Sequence, residues 1–388
     1  MKIPPSKSHT MRALFFRHLA KKDCQIENIL DAPEVQEFKK NLENWDEIDR
    51  VDVKNSGLAL HFLIALATLR CKKTFLTGDY SICNLRPVEP LISALCTLGA
   101  KVTYHQNRGL PPLTIEGPIK NGKVHLDGTN SQHVSSLLIA LSQVEGKSEI
   151  TVTNPCEKPY IEITLDWLKK LGFAVENRDF FSYSLEGPFK VPSFAITIPA
   201  DFSSLAFLVA VNKILEIKED FSGLDFQDLQ GDKRLFFYLN QEKCCIKDTP
   251  DLLPVLMVLA LYKKGPSLIH GIHVARQKES DRPFAMKKEL EKMGAKIEIY
   301  EKEDYMYVQP GPLFGAKLTS HNDHRIAMSL AVAALKAHGT TTIEGVQCVS
   351  KSFPNFFETF CPDWAAKIGK DDTGQVTIEP ARSEICRS

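Results

Sequence analysis

One local pattern recurs along this chain of 388 residues: an amphipathic helix, then a glycine, then a strand. The glycines are Gly99, Gly172 and Gly294, and a β-branched residue follows each within a few positions. Such a glycine is typical of the residue that ends a helix in the left-handed backbone region. Weaker copies begin at Glu34 and Gly231. This self-similarity predicts a repeated α/β unit, with about three units in each half of the chain.

Two kinds of segment fill these units. Alternation of apolar and polar residues predicts half-buried strands at residues 124–127, 148–153 and 194–198. Helices that are apolar nearly all round are predicted at residues 58–69, 252–261 and 326–336. Because helices of this kind belong inside a domain, we predict an α/β fold whose sheets enclose buried helices.

The main domain boundary is predicted near Pro199. A strand ends there, and a new helix begins at Ser203. We therefore expect a first lobe of residues 1–198, a second lobe of residues 199–365, and a polar, peripheral tail of residues 366–388.

Charge and hydropathy exclude several classes of protein. Lys and Arg together number 48, as do Asp and Glu, whereas a general nucleic-acid binder has a basic excess. No apolar run approaches the roughly 18 residues of a membrane span, and the start of the chain lacks a signal-peptide pattern. The ten cysteines form no Cys-x-x-Cys pair, so we expect buried thiols in a reducing compartment. We predict a soluble cytoplasmic protein with neither a nucleic-acid nor a membrane partner.

The start of the chain carries a candidate phosphate site. Lys7 and Ser8 precede a helix predicted from Thr10 to Ala20, and Arg12 lies within its first turn. The N–H groups and positive dipole end of a helix start bind anions, and the two basic side chains add charge. A plain serine-capped helix start is the alternative.

Polar residues precede other predicted helices too. Gly57 would let a ligand approach the backbone closely, and residues 130–132 could bind phosphate or sugar hydroxyls. Asp251 fits either a helix cap or a proton acceptor, and Glu279, which lies in a charged segment, fits an acid/base group. In each case capping remains an alternative.

The segment from His321 to Arg325 contains His-x-x-His and an aspartate, which invites a metal interpretation. No further His or Asp ligand motif accompanies it. We therefore predict no metal, with Asp323 as a helix cap and Arg325 as an anion ligand.

Basic residues at these helix starts and loops come from both halves of the chain. They are Lys7, Arg12, Arg86, Lys278, Arg282, Arg325 and Lys351. This distribution predicts one cleft between two domains, which binds one or two multiply charged anions and closes on them.

Four motifs are distinctive in wording. They are Pro-Ser-Lys-Ser-His-Thr-Met-Arg from Pro5, Asn-Ser-Gly from Asn55, Lys-Glu-Ser-Asp-Arg from Lys278 and Asn-Asp-His-Arg-Ile-Ala-Met from Asn322. In their order and approximate spacing these motifs resemble those of 5-enolpyruvylshikimate-3-phosphate (EPSP) synthases over residues 4–360. The motif sequences are most similar to those of chlamydial members.

The resemblance implies a two-domain enolpyruvyl transferase fold, with about three βαβαββ repeats around buried helices in each domain. It implies transfer of the enolpyruvyl group of phosphoenolpyruvate to the 5-hydroxyl of shikimate 3-phosphate, a step toward aromatic amino acids. Phosphate is released, no cofactor is needed, and we expect a monomer.

The resemblance also implies the site residues. Shikimate 3-phosphate would be held by Lys7, Ser8, Arg12, Asn130, Ser131, Gln132, Tyr160, Asp251 and Lys278. Phosphoenolpyruvate would be held by Lys7, Gly57, Arg86, Gln132, Arg282, Arg325 and Lys351. Asp251 would accept the proton of the 5-hydroxyl, and Glu279 and Lys7 would be the proton donors.

The chain departs from the family pattern in several places. Asn130 and Glu157 stand where serine is usual, Val274 replaces a common asparagine, and His61 replaces an arginine. The stretch between Leu30 and Asn55 is shorter than usual, so we expect one repeat to be trimmed. A strand that usually precedes the first motif is also missing, and we expect residues 375–379 to take its place in the second lobe.

Two alternative functions stay open at this point. One is a UDP-N-acetylglucosamine enolpyruvyl transferase, which uses a loop cysteine near an Arg-Pro pair, as Cys83 is here. The usual Pro-Gly-Gly-Cys loop is absent, however. The other is a non-catalytic anion-binding relative, against which the retention of Lys7, Asp251 and Glu279 argues.

Overall fold

Helices and strands alternate along nearly the whole chain. The computed structural model describes residues 3–217, 221, 224–359, 366–371 and 374–380. It divides into a first unit, Pro5–Pro199, and a second unit, Met1–Pro4 with Ala200–Ser388. Ile3 packs against the core of the second unit. The start of the chain, which we expected in the first lobe, therefore belongs to the second unit.

The first unit contains seven helices and ten strands in its described residues. The helices are α1 (Lys7–Ala20), α2 (Pro33–Glu43), α3 (Gly57–Ala67), α4 (Tyr80–Leu85), α5 (Glu89–Thr97), α6 (Ser131–Ser142) and α7 (Lys158–Lys170). The strands are β1 (Gln25–Glu27), β2 (Arg50–Asp52), β3 (Thr74–Thr77), β4 (Lys101–Tyr104), β5 (Leu113–Glu116), β6 (Lys123–Asp127), β7 (Gly146–Thr153), β8 (Val175–Arg178), β9 (Ser182–Gly187) and β10 (Ala195–Thr197).

Helices and strands alternate in the second unit too. Its α-helices are α8 (Phe202–Leu215), α9 (Leu235–Tyr238), α10 (Leu253–Leu261), α11 (Arg282–Lys292), α12 (His324–Ala334) and α13 (Phe356–Thr359). Short 3-10 helices span Gly231–Arg234, Pro250–Leu252, Ile272–Gln277 and Val346–Lys351. Its strands are β11 (Lys243–Cys245), β12 (Ser267–His270), β13 (Lys296–Tyr300), β14 (Tyr305–Gln309), β15 (Lys317–Thr319), β16 (Thr341–Glu344), β17 (Ala366–Lys370) and β18 (Val376–Pro380).

Four sheets share one topology, two in each unit of the described chain, which confirms that an α/β unit is repeated. Their strand orders are β2-β3-β5-β4, β6-β7-β9-β8, β11-β12-β14-β13 and β15-β16-β18-β17. In each sheet the first pair is parallel and the other pairs are antiparallel. Gly99, Gly172 and Gly294 all have positive φ at the ends of α5, α7 and α11, as predicted.

A fifth sheet is shorter. It consists of the parallel pair β1 and β10. The segment between β1 and β2 is fully described and holds only α2, without the two further strands that complete the other sheets. The expectation of a trimmed repeat between Leu30 and Asn55 is therefore confirmed.

Each unit has its own core around the predicted apolar helices. Nearly every residue of α3, α10 and α12 is buried. The alternating segments are strands β6, β7 and β10, as expected. The cysteines differ from expectation, since Cys71, Cys96 and Cys245 are exposed. Among the described residues, no helix is both long and apolar enough to cross a bilayer.

The tail is part of the second unit's sheet. Strand β18 pairs with β16, and the side chains of Val376 and Ile378 are fully buried. The expectation of a peripheral tail is therefore wrong for residues 366–371 and 374–380. A strand near residues 375–379 in the second unit is confirmed, and that it takes the place of the strand that usually precedes the first motif stays a prediction. Residues 381–388 lie outside the described residues.

Candidate active site

The first candidate segment begins earlier in its helix than the sequence indicated. Helix α1 starts at Lys7, not Thr10, with Ser6 as N-cap residue. The side chain of Ser6 makes no capping hydrogen bond, so it does not occupy the N–H groups of the first turn. The Lys7 Nζ lies 3.5 Å from a carboxylate oxygen of Glu34, a buried residue in α2. Lys7 therefore stands at a positive helix end with its ammonium group oriented by a carboxylate.

Arg12 joins α1 to α7. Its guanidinium donates to the Ser8 carbonyl (3.0 Å), the Tyr160 carbonyl (2.8 Å) and the Thr164 hydroxyl (2.9 Å). Burial lowers the pKa of Arg12 to about 9, although Tyr160 opposes the shift. The predicted shikimate-phosphate residues Ser8, Arg12 and Tyr160 are thus linked through one guanidinium.

Three residues predicted to bind phosphoenolpyruvate lie together in the first unit. A Cβ atom added to Gly57 would lie 2.5 Å from Arg86 Nη1 and 3.3 Å from Gln132 Oε1. The absence of a side chain at Gly57 therefore makes room for the buried guanidinium of Arg86. We call Gly57, Arg86 and Gln132 the first-unit cradle.

The start of α6 is held by two of the unusual residues. Asn130 is the N-cap, and its side-chain oxygen accepts from the Gln132 N–H at 2.9 Å. The Ser131 N–H and hydroxyl both donate to the Glu157 carboxylate, at 3.1 and 3.0 Å. Glu157 has a positive φ of 53° and is buried. The Ser131 hydroxyl, which was predicted to bind shikimate 3-phosphate, thus donates its hydrogen bond to the Glu157 carboxylate.

In the second unit, Arg282 gathers three carboxylates. Its guanidinium donates to Asp251 (2.6 Å), Glu279 (2.7 Å) and Asp323 (2.8 Å). Arg282 and Asp323 are buried, and the side chains of Asp251 and Glu279 keep only 19% and 10% exposure. Burial alone would lower the pKa of Arg282, but Asp323, Glu279 and Asp251 together raise it. The predicted base and acid are therefore held by one buried cation.

Arg325 contributes a second cation to this cluster. Its Nη2 lies 3.0 Å from Asp251 Oδ2 and donates to the Ser203 hydroxyl at 2.9 Å. Burial raises the pKa of Asp251, but the attraction of Arg325, Arg282 and Lys278 outweighs it, so the net pKa is lowered. Asp251 is thus ionised and aimed by two guanidinium groups.

The other two predicted residues of the second unit lie on loops or short helices. Lys278 follows the 3-10 helix Ile272–Gln277 and is half-buried, and its charge acts on Asp251. Lys351 is buried at the end of the 3-10 helix Val346–Lys351. The four basic residues that were predicted for the second unit, Lys278, Arg282, Arg325 and Lys351, thus all lie in described parts of that unit.

One group of side chains in the described part of the chain has the spacing of a metal site. Glu279, Asp323 and His324 each place a ligand atom within 4.8 Å of the others. The Arg282 guanidinium already binds both carboxylates, however. Because a fixed cation repels a metal ion, this donor set suits ion pairing better than metal binding.

Sequence reasoning missed the partners that fix the predicted residues. Asp323 was expected only as the cap of α12, and it does accept from the Arg325 N–H at 2.9 Å, but it also anchors Arg282. Glu34 was read only as part of a repeat, and Glu157 only as a departure. No sequence pattern connects these residues to Lys7 and Ser131, because each pair is brought together by packing.

Comparisons with known proteins point to one family. A family model described as EPSP synthase (3-phosphoshikimate 1-carboxyvinyltransferase) matches residues 35–237 and 230–360. The 3-phosphoshikimate 1-carboxyvinyltransferase of Chlamydia caviae is 34% identical, over 92% of this chain and 89% of its own length. That of Chlamydia trachomatis serovar L2 is 35% identical, over 91% and 90%.

Solved structures show the same fold. EPSP synthase from Acinetobacter baumannii superimposes with a TM-score of 0.74 at 21% identity, over 98% of this chain and 97% of that one. The enolpyruvyl transferase NikO from Streptomyces tendae has a TM-score of 0.70 at 15% identity, over 92% of each chain. At identities this low the superpositions show the fold alone, and that fold is the predicted two-domain α/β fold.

Proposed function

Because this chain belongs to the EPSP synthase family, we propose that it transfers the enolpyruvyl group of phosphoenolpyruvate to the 5-hydroxyl of shikimate 3-phosphate. The products are EPSP and inorganic phosphate. The observation that carries the proposal is the Arg282 cluster, since it holds a candidate base and a candidate acid among fixed cations. Such a cluster suits addition and elimination on a multiply charged enol phosphate.

We assign the substrates to the residue sets that the resemblance implied. Phosphoenolpyruvate is held by the first-unit cradle together with Lys7, Arg282, Arg325 and Lys351. Shikimate 3-phosphate is held by Lys7, Ser8, Arg12, Asn130, Ser131, Gln132, Tyr160, Asp251 and Lys278. Arginine and lysine clamps of this kind fix carboxylate and phosphate groups and thereby set the geometry of attack.

The reaction then needs one acid and one base. Glu279 or Lys7 donates a proton to C3 of phosphoenolpyruvate, while the 5-hydroxyl attacks C2 and loses its proton to Asp251. A tetrahedral ketal forms. In the second step C3 returns its proton, the bond between C2 and the phosphate oxygen breaks, and phosphate leaves with the proton from Asp251. Each group reverses its role, so neither cofactor nor metal takes part.

The setting of this activity is also a proposal. Equal numbers of basic and acidic residues support small-molecule partners over nucleic acid. We propose a cytoplasmic monomer whose two units, Pro5–Pro199 and Met1–Pro4 with Ala200–Ser388, both supply groups to one reaction.

A phosphate-release assay tests the proposal. We expect release only when phosphoenolpyruvate and shikimate 3-phosphate are both present. Release with UDP-N-acetylglucosamine instead would favour the sister activity, and no release with any acceptor would favour a binding protein. Cys83 separates these outcomes further. Its Sγ donates to the Gly78 carbonyl, contacts the Thr77 hydroxyl and packs against the core of the first unit. Because these contacts are structural, Cys83→Ser should retain full activity.

A further inference from the structure

Two buried histidines lie directly behind the first-unit cradle. His61 is on α3 and His133 is in the first turn of α6, next to Gln132. Both side chains are buried, and their ring centroids are 4.9 Å apart with the planes tilted by 47°. This distance is that of a packed aromatic pair. Helices α3 and α6, which carry Gly57 and Gln132, are therefore in contact through the two rings.

Each ring also contacts a backbone carbonyl beside a cradle residue. The Nδ1 of His61 lies 2.6 Å from the Gly57 carbonyl oxygen, and the Nε2 of His133 lies 3.1 Å from the Pro87 carbonyl oxygen. Pro87 directly follows Arg86. The pair thus reaches the backbone at Gly57 on one side and at Arg86 on the other.

The two carbonyls determine the tautomers. A carbonyl oxygen only accepts hydrogen bonds, so the contacting nitrogen must carry the proton. His61 is therefore protonated at Nδ1. For His133, the 3.1 Å contact with the Pro87 carbonyl favours a proton on Nε2. Burial lowers the pKa of His133 to about 4, although the Pro87 and Asp127 carbonyls and the carboxylates of Asp127 and Glu157 oppose the shift. A neutral ring also avoids adding positive charge next to Arg86.

We propose that His61 and His133 are positioning residues for phosphoenolpyruvate, which hold the Gly57 and Arg86 backbone segments at the spacing of the first-unit cradle. The proposal rests on the function proposed above. It gives His61, which stands where the family usually has an arginine, a role that pairs it with His133. Neither side chain touches the substrate or takes part in proton transfer.

Matched variants test the proposal. His61→Leu and His133→Leu fill the buried space without donating a hydrogen bond. His61→Asn and His133→Gln place an amide N–H near the positions of Nδ1 and Nε2, so the donors are retained. We expect each leucine variant to raise KM for phosphoenolpyruvate about 3- to 10-fold, the effect of one hydrogen bond. KM for shikimate 3-phosphate and kcat should change less than about 2-fold, and the amide variants should behave like the wild type.

A double variant tests whether the two rings act together in holding the Gly57 and Arg86 backbone segments. If they do, His61→Leu/His133→Leu should raise KM for phosphoenolpyruvate no more than the stronger single variant. An unchanged KM in both leucine variants, or equal rises for both substrates, would overturn the proposal. So would amide variants as impaired as the leucine ones, because the donors would then be irrelevant.

NMR of the ring nitrogens in histidine-labelled protein reports the tautomers of His61 and His133. This measurement does not depend on enzyme activity, so it is independent of the proposed function. We expect a neutral Nδ1–H form for His61 and a neutral Nε2–H form for His133, with signals assigned through the two amide variants. The opposite tautomers would overturn the pairing whether or not the enzyme is active. If the wild type releases no phosphate, the proposed function fails, and the spectra still decide whether the pairing is real.

Discussion

At the residue scale, fixed ion pairs determine what each candidate side chain can do. Arg282 is fully buried, and three carboxylates surround it. Desolvated charges of this kind are tolerated only when they are paired and hydrogen-bonded. The pairs fix the positions of the Asp251 and Glu279 carboxylates in this structure, and a fixed position is one requirement of a general acid or base.

Arg325 provides the most direct substitution at this scale. Arg325→Ala removes a charge-assisted contact proposed for phosphoenolpyruvate, worth roughly 1.5–3 kcal/mol. We expect kcat/KM for phosphoenolpyruvate to fall about 10- to 100-fold in steady-state assays. Arg325→Lys keeps the charge but not the bidentate geometry, so its kcat/KM should lie between those of the wild type and Arg325→Ala. An unchanged kcat/KM in Arg325→Ala would reject the assigned role.

Gly57 tests the first-unit cradle. In Gly57→Ala the new Cβ would fall 2.5 Å from Arg86 Nη1, so the guanidinium must move. We expect KM for phosphoenolpyruvate to rise about 10-fold, since one charge-assisted contact is displaced. Gly265→Ala is the matched control, because nothing lies within 4 Å of its Cβ position. Equal behaviour of the two variants would show that Gly57 and Arg86 are not part of the site.

His133 predicts a pH dependence of stability. Its pKa is lowered from the ordinary 6.5 to about 4, so between these values the unfolded chain takes up a proton that the folded chain does not. The free energy of unfolding should therefore fall as the pH drops from about 6.5 to 4, by up to roughly 3 kcal/mol from this group. Urea titrations should show a smaller fall for His133→Gln, while a variant of the exposed His125, His125→Gln, should match the wild type. Parallel pH profiles for all three proteins would contradict this.

At the element scale, the sequence predicted helices and strands well but their starts less well. The apolar runs identified α3, α10 and α12, because a helix that is buried on all sides has no polar face. The start of α1 was placed three residues late at Thr10, since Lys7 and Ser8 were read as a loop before the helix. Polar residues in a first turn resemble a loop in sequence, and only the backbone distinguishes them.

The strand β18 shows a second limit of sequence reasoning. Its polar surroundings suggested a peripheral segment, yet Ile378 is fully buried against the core of the second unit. Ile378→Ala should lower the free energy of unfolding by about 2–5 kcal/mol, as large-to-small core substitutions do. Denaturant titration of the full chain measures this, with Glu379→Ala on the exposed side of the strand as control. Equal stability of both variants would mean that β18 does not belong to the core.

At the scale of the whole molecule, the repeat determined most of what could be predicted. A glycine-terminated helix followed by a strand specified the unit, and the structure has four sheets of identical strand order in its described residues. That one repeat is trimmed was expected because the stretch between Leu30 and Asn55 is shorter than in the family that the motifs resemble. The pairing of β1 with β10 was not predicted. Other pairings were not predictable: Arg282 with Asp251 and Asp323, Lys7 with Glu34, and Ser131 with Glu157. Contacts between residues so far apart in sequence carry no local signal.

The central claim is that an enol ether forms between phosphoenolpyruvate and shikimate 3-phosphate. It is tested most directly by incubating the protein in D2O with both substrates, with ¹³C at C2 of phosphoenolpyruvate, and recording the product by NMR. The account predicts that the labelled carbon becomes coupled to the proton on C5 of the shikimate ring, and that deuterium enters at C3 through the transient methyl group. Labelled carbon that stays in phosphoenolpyruvate or appears only in pyruvate would contradict it.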